Sequence, residues 1–429
     1  MKKTSTAPLG KLARIDRGIS WASAQETREP GLASIPVLRI GNVQQRLDLA
    51  DLLYINGVSD KQRRKNTASR GSVIMVGSNG NHDRIGNCCR INDDANYMFA
   101  SFLVGLLPER DEVDPAYLFH VLRSPIVQDA ISASVTGSTG LANLSLSFLK
   151  ALEVFHPDKL EQERIAGFLD LVDRAIEQTE ALLAKQQRIK AGLMHDLLTR
   201  GLDTQGRLRD PVTHKFKRSP LGKIPEEWDV APLESLVPKN APICYGIVQV
   251  GPDTPGGVPT IAIRDLGNIE VSLLHHTERG RESKFVRSRV ESGDLLLSVK
   301  ATTGEVGVVP PGFLGNISRD LARIRLQPSE NPPFFKYQMQ SDAGQRRLAE
   351  IIVGTTRREI SIIPLRSLLI ARPKPSEQEA IAERIQSTEK DIAALNAELE
   401  KLRRQKTGLM QDLLTGRVPA TPLLATKPN

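Results

Sequence analysis

The chain has 429 residues, with 58 Lys+Arg against 50 Asp+Glu, a net charge of +8 and a pI of about 9.4. That length supplies two or three domains with ample core, and 40% hydrophobic with 25% charged residues excludes disordered, collagen-like and disulfide-rich classes. No run approaches the roughly 18 apolar residues of a membrane span. Cys88, Cys89 and Cys244 cannot build a disulfide framework and read as structural thiols. The N-terminus has two lysines with no apolar stretch behind them, so it is not a secretory signal and a cytoplasmic location is expected. A basic excess suits a polyanionic partner, and the low aromatic content of 4% argues against a single-strand binder that stacks bases on rings.

In chain order, mixed α/β regions alternate with long helices. Strands are predicted at 35–40 and 72–76, followed by the polar run Gly77-Ser78-Asn79-Gly80-Asn81-His82-Asp83-Arg84. A helix should start after Asp114-Pro115, because Asp caps a helix and proline suits its first turn. A second polar loop holds Gly137-Ser138-Thr139. A long helix is predicted over 157–200, then a polar or Pro-rich linker over 201–225. Further strands fall at 260–263, 294–299 and 305–309, with Cys244-Tyr245-Gly246-Ile247-Val248-Gln249 before them and Lys300-Ala301-Thr302-Thr303-Gly304 between the last two. Asn331-Pro332-Pro333 opens another helix, Gly354-Thr355-Thr356-Arg357-Arg358 forms a loop, and a second long helix covers 373–416. Residues 417–429 read as a loose tail.

Self-similarity organises these elements. Residues 161–199 align without a gap to 377–415 at an offset of 216, with 18 of 39 positions identical. Upstream, Leu144, Ser145, Leu149, Leu152 and Pro157 match Ile360, Ser361, Leu365, Leu368 and Pro373 at the same offset, and the halves diverge further back. Within each long helix a mostly apolar set steps alternately by four and three. It comprises Ile165, Leu169, Val172, Ile176, Thr179, Leu183, Gln186, Lys190, Leu193 and Leu197 in the first copy. The second copy has Ile381, Ile385, Thr388, Ile392, Leu395, Leu399, Leu402, Lys406, Leu409 and Leu413. A mean step of 3.5 is the seam of a left-handed coiled coil. Both seams are interrupted by lysine at the same place, a device that fixes register and partner. Antiparallel pairing needs the shorter linker, so the expected fold is mixed α+β. Two globular domains, 1–156 and 226–372, are joined by two long antiparallel coiled-coil helices in a pseudo-twofold tandem repeat.

Catalytic motifs are mostly missing. Asn331-Pro332-Pro333-Phe334 matches the tetrapeptide of amino-methyltransferases, yet no glycine-rich S-adenosylmethionine turn accompanies it, and the other half has Asp114-Pro115-Ala116-Tyr117 in its place. Helix initiation with a buried aromatic explains both. There is no phosphate loop for ATP. Pro157-Asp158 has only Pro373-Lys374 as its counterpart, and His275-His276 and the His82, Cys88, Cys89 group lack metal-ligand spacing, so no catalytic, cofactor or metal site is expected. The polar loops are rich in side chains that read base edges and phosphates, although turn chemistry also accounts for Asn and Gly there.

The chain resembles the specificity subunits of type I restriction-modification enzymes over nearly its whole length. The resemblance rests on Glu161-Gln162-Glu163 and Leu193-Met194-His195-Asp196-Leu197-Leu198-Thr199, on their copies Glu377-Gln378-Glu379 and Leu409-Met410-Gln411-Asp412-Leu413-Leu414-Thr415, and on the linker from Lys215 to Trp228. It implies two target recognition domains, each reading one half of a split, asymmetric site in double-stranded DNA, with the helices as a ruler. It also implies two methyltransferase subunits bearing S-adenosylmethionine and restriction subunits that hydrolyse ATP, this chain being non-catalytic. The expected base-reading residues are Ser78, Asn79, Asn81, His82 and Arg84 in the first domain, and Tyr245, Gln249, Lys300, Thr302, Thr303 and Arg319 in the second. The alternatives are a coiled-coil scaffold without sequence-specific DNA contact and a self-contained methyltransferase.

Overall fold

The computed structural model describes residues 5–31, 34–44, 46–136, 140–354 and 358–420. The loop residues Gly137, Ser138, Thr139, Thr355, Thr356 and Arg357 lie outside them, as does 421–429. The chain divides into two compact units, 1–181 with 396–429 and 182–395.

The head of the first unit holds β1 (Ala13–Arg17), β2 (Ile35–Leu38), β3 (Leu53–Ile55), helix α1 (Asp60–Asn66), β4 (Thr67–Ala68), β5 (Val73–Val76), β6 (Cys88–Arg90), β7 (Tyr97–Phe99), β8 (Leu103–Pro108) and helix α2 (Pro115–Leu122). One sheet has the order β1-β8-β5-β6, all antiparallel. The other runs β3-β2-β7-β4, with β2 and β7 parallel and a short strand, Glu26–Thr27, added beyond β3. The expected strands at 35–40 and 72–76 are therefore present. β5 and β8 are buried along most of their length, which explains their continuous Val/Ile/Leu character. Helix α3 (Lys159–Arg200) follows.

The head of the second unit repeats this plan. It holds β9 (Cys244–Tyr245), β10 (Val258–Ile261), β11 (His275–Thr277), helix α4 (Arg279–Glu282) with a 3-10 segment over 283–288, β12 (Val290–Glu291), β13 (Leu295–Ser298), β14 (Val306–Val308), β15 (Leu314–Ile317), β16 (Leu321–Ile324) and helix α5 (Pro332–Gln340), before the long helix α6 (Pro375–Leu413). Its sheets run β9-β16-β13-β14 and β11-β10-β15-β12, again with one parallel pair, β10 with β15. Each strand of the second head thus matches the strand eight earlier. The tandem repeat extends through the divergent regions.

The helix starts behave as expected. The Asp114 carboxylate accepts from the backbone N–H of Ala116 and Tyr117, and the Asn331 side chain accepts from Phe334 N–H. With Asn331 occupied as a cap and Phe334 fully buried, the tetrapeptide is a helix start rather than an amine-binding motif. Gln162 and Gln378 explain the Glu-Gln-Glu signature. Each is buried, accepts from the backbone N–H of the head-helix cap (Asp114 or Asn331) and donates to a proline carbonyl (Pro157 or Pro373), all at 2.9 Å. The motif ties each long helix to its own head.

The seam positions are buried or half-buried along both long helices. In the first unit Ile165 and Leu169 share a core with Leu409, Met410 and Leu413, so the start of α3 packs on the end of α6. In the second, Leu193 and Leu197 share a core with Ile381 and Ile385. Each unit therefore contains an antiparallel helix pair. The seam lysines are paired reciprocally: Lys190 bonds Glu389 at 2.6 Å and Lys406 bonds Asp173 at 2.5 Å, positions related by the 216-residue period. The head helices join the same layer, through Tyr337 Oη donating to Glu389 at 2.6 Å and His120 Nε2 bonding Asp170 at 2.7 Å. Burial leaves the His120 ring neutral, its pKa lowered against the pull of Asp170 and Asp173.

Two segments hold more order than the sequence predicts. Residues 201–225 are not a loose linker: Leu202 and Ile224 join the core of the second unit, and strands Phe216–Ser219 and Gly222–Pro225 form a hairpin. The reason is a buried cluster in which Arg209 pairs with Glu377 at 2.5 Å while Trp228 Nε1 donates to the same carboxylate. Residues 417–420 are docked rather than free, since Arg417 pairs with Asp412, and Ala420 is buried with its N–H donating to Glu161. Cys88 and Cys89 are buried, which pushes both thiols up to about 12 and agrees with a structural role.

Candidate nucleic-acid interface

The loops after β5 and β13 occupy equivalent places, and both rest on a polar latch. In the first head Arg17 donates to Ser78 Oγ at 2.9 Å and to the Leu144 carbonyl at 2.7 Å, while Ser78 also donates to Asn143. In the second head Tyr245 Oη donates to the Ile360 carbonyl at 3.2 Å, Lys300 pairs with Glu359 at 3.1 Å, and the Lys300 ammonium lies 5.9 Å from the Tyr245 ring centre. Leu144 matches Ile360 and Asn143 matches Glu359 at the 216-residue offset. The same backbone frame is therefore held by Arg-Ser-Asn in one head and Tyr-Lys-Glu in the other.

This frame sorts the expected readers. Ser78 is buried at the floor of its loop, and Tyr245 and Lys300 are half-buried in the latch. Burial, followed by the Glu359 charge, raises the Tyr245 phenol above its usual range. Beyond the floor, Asn81 and His82 are exposed and Asn79 and Arg84 half-buried. The Asn79 and Asn81 side chains accept from the backbone N–H of Asn81 and Asp83, and Arg84 donates to the Val43 carbonyl at 3.3 Å. In the second head Thr302, Gln249 and Arg319 are exposed and Thr303 half-buried. Ala301 has φ of 56°, the one positive value at a non-glycine among the described residues, and it turns the chain so that Thr302 stands outward.

Gly18 and Gly246 reveal a second loop pair. A Cβ at either would strike backbone carbonyls, of Phe99 and Ala100 in the first head and of Ile317 and Ser318 in the second. Counted from this anchor, Gln249 corresponds to Trp21 and Arg319 to Ser101. The sequence reading took this surface in the second head and missed it in the first, where Trp21, Arg39, Asn42, Asp51, Ser101 and Phe102 line a groove of about 690 Å³. Phe102 is 45% exposed and the Arg39 Nε is buried without a partner among the described residues. No signal in the sequence marked it, because the offset between the heads drifts from 216 at the helices to 228 at Gly18.

Among the described residues, no group of three or more His, Cys, Asp or Glu could hold a metal ion, and no helix is long and apolar enough to cross a membrane.

Residues 1–186 match the family model for the type I restriction modification DNA specificity domain. The chain is 24% identical over 392 residues to the MjaX type I restriction enzyme specificity subunit of Methanocaldococcus jannaschii, covering 89% of this chain and 87% of that one. It is 27% identical over 286 residues to the EcoBI specificity subunit of Escherichia coli, covering 65% and 59%. The crystal structure of the type I restriction-modification S subunit from M. genitalium shares the fold, with a TM-score of 0.58, 16% identity, and 96% and 97% coverage. The chain is thus similar over most of its length to specificity subunits of type I restriction enzymes, and its first 186 residues match the DNA specificity domain of that family.

Proposed function

We propose that each head reads one half of a bipartite, asymmetric site in double-stranded DNA, and that the paired helices set the gap between the halves. A specificity subunit supplies sequence recognition inside a complex and leaves catalysis to its partners. The observation that carries the finer reading is the pair of heads with one topology and different side chains at equivalent loops, as an asymmetric target requires. Asn79, Asn81, His82 and Arg84 are assigned to one half-site; Gln249, Thr302, Thr303 and Arg319 to the other. Ser78, Tyr245 and Lys300 support those loops from beneath and reach DNA only where the latch opens. Asn, Gln, Arg and Thr present the donors and acceptors that match base edges in the major groove.

Two methyltransferase subunits would dock on the helices and bring S-adenosylmethionine, and restriction subunits would bring ATP hydrolysis; this chain is assigned no cofactor. Mapping modified bases in cells that express the chain with its methyltransferase tests the proposal. A split motif with two unlike halves and a fixed gap is expected. A continuous motif, or no chain-dependent methylation, would contradict it.

A further inference from the structure

The net charge of +8 is concentrated in two short segments. Residues 60–66 contain four cations, Lys61, Arg63, Arg64 and Lys65, and one acid, Asp60, for a net +3. Residues 279–289 contain five cations, Arg279, Arg281, Lys284, Arg287 and Arg289, and one acid, Glu282, for a net +4. Together they account for +7 of the chain's +8.

The two segments are the same element of the repeat. Helix α1 leads into β4, where Ala68 lies opposite Tyr97 of β7; α4 and its 3-10 extension lead into β12, where Val290 lies opposite Gly315 of β15. Two residues before each pairing sits a buried polar anchor. Asn66 donates to the Arg17 carbonyl at 2.6 Å and Ser288 to Asn316 at 2.7 Å. The cationic side chains lie on the outer side. Lys65 pairs with Asp16 at 3.6 Å and Arg289 with the buried Glu282 at 2.7 Å. Lys61, Arg64, Lys284 and Arg287 are exposed and make no ion pair or side-chain hydrogen bond among the described residues.

Both segments adjoin the loop frame. The anchor Asn66 bonds Arg17 of the first latch. In the second head Arg281 donates to the Gln249 carbonyl at 3.5 Å, and Cys244, next to Tyr245, donates to the Arg287 carbonyl at 3.2 Å. Heads that read different bases must differ where they touch bases, whereas phosphates are the same in every sequence. A cationic helix kept at one place in two otherwise divergent heads fits the second kind of contact.

We infer that α1 and the 279–289 segment are phosphate-contact elements, holding the DNA backbone beside the base-reading loops of each head. This rests on the DNA-recognition reading and adds the sequence-independent part of it. The test uses the complex with the methyltransferase subunits and two double variants, Lys61→Gln with Arg64→Gln and Lys284→Gln with Arg287→Gln. Fluorescence anisotropy is read on the mapped cognate duplex and on a scrambled duplex across a salt series. Each variant should weaken both duplexes by the same factor, keep the cognate-to-scrambled ratio, and flatten the log–log salt slope by about 0.9 for each phosphate no longer neutralised. Charge-preserving Lys61→Arg and Lys284→Arg should keep the slope. Unchanged affinity and slope would overturn the inference, and so would a weakening confined to the cognate duplex. For the unaltered complex, a slope equivalent to fewer than four phosphates would overturn it without any variant. A lack of cognate preference in the unaltered complex would instead sink the recognition reading.

Discussion

The two heads share eight strands in the same order and hold their loops by unlike chemistry. The first uses a guanidinium, a hydroxyl and an amide, Arg17, Ser78 and Asn143; the second uses a phenol, an ammonium and a carboxylate, Tyr245, Lys300 and Glu359. What is common is the carbonyl they reach, Leu144 or Ile360, and the strand behind it. The backbone frame is thus independent of the side chains that brace it. Such a fold can change what its loops carry without changing where they stand.

The largest expected effect lies in the buried Glu377 cluster of the second unit. Glu377→Ala leaves Arg209 and Trp228 Nε1 without their shared acceptor, and losing one partner of a buried pair costs about 3–5 kcal/mol. Hydrogen exchange followed peptide by peptide should show deprotection of residues 200–230 and the start of α6, with the first head unchanged. Protection reduced equally in both heads would break the account of two separate units.

Next come the latches. Arg17→Ala removes two charge-assisted bonds, for about 3 kcal/mol, while Tyr245→Phe removes one neutral bond, for about 1 kcal/mol. Exchange rates in 77–84 and 300–304 measure each. An equal effect would mean that the braces are interchangeable in strength as well as position.

The seam lysines sharpen the comparison further. Lys190→Met leaves Glu389 with Tyr337 and with Lys336 at 3.7 Å, so the effect is buffered. Lys406→Met leaves Asp173 with no other ion pair among the described residues, and Lys406 is the more buried lysine, 13% exposed against 27%. The second change should cost about 1 kcal/mol more, read from thermal denaturation of the complete chain.

The smallest effect concerns pH. His120 is buried with its pKa lowered, its Nδ1 has no partner among the described residues, and Asp170, Asp173 and Lys406 face it from the long helices. A depressed histidine pKa means that the unfolded chain binds the extra proton first. Stability of the first unit is therefore complete above about pH 6.5 and declines as pH falls below it. His120→Gln should flatten that decline in exchange measurements between pH 7 and 5, leaving the second unit, with Tyr337 in the equivalent place, unchanged.

Much of this is legible in the sequence because the signals are local or repeated. The seam steps of 3.5 match the buried stripe of α3 and α6, and the Asx-Pro dipeptides match observed caps. The strands predicted at 35–40, 72–76, 260–263, 294–299 and 305–309 all have counterparts within two residues. The 201–225 segment reads as a linker because many of the contacts that order it are distant: Arg209 pairs with Glu377, and Leu202 and Ile224 join the core of the second unit. The correspondence of the heads is hidden because insertions shift the offset from 216 at the long helices to 222 at Gly71 and Gly293, both at positive φ, and to 228 at Gly18 and Gly246. The readers expected in the second head include a surface that the drift conceals in the first, at Trp21 and Ser101. The cationic helices escape a sequence reading because a charge run looks like a solvated face until two of them fall at one place in a fold.

The most direct test of the central claim exchanges one head. Residues 226–372 are replaced by the corresponding region of a specificity subunit with a known and different target, and modified bases are mapped in cells expressing the chimera with the methyltransferase. The account predicts that one half of the split motif changes to that of the donor while the other half stays the same. A change in both halves, or in neither, would contradict it.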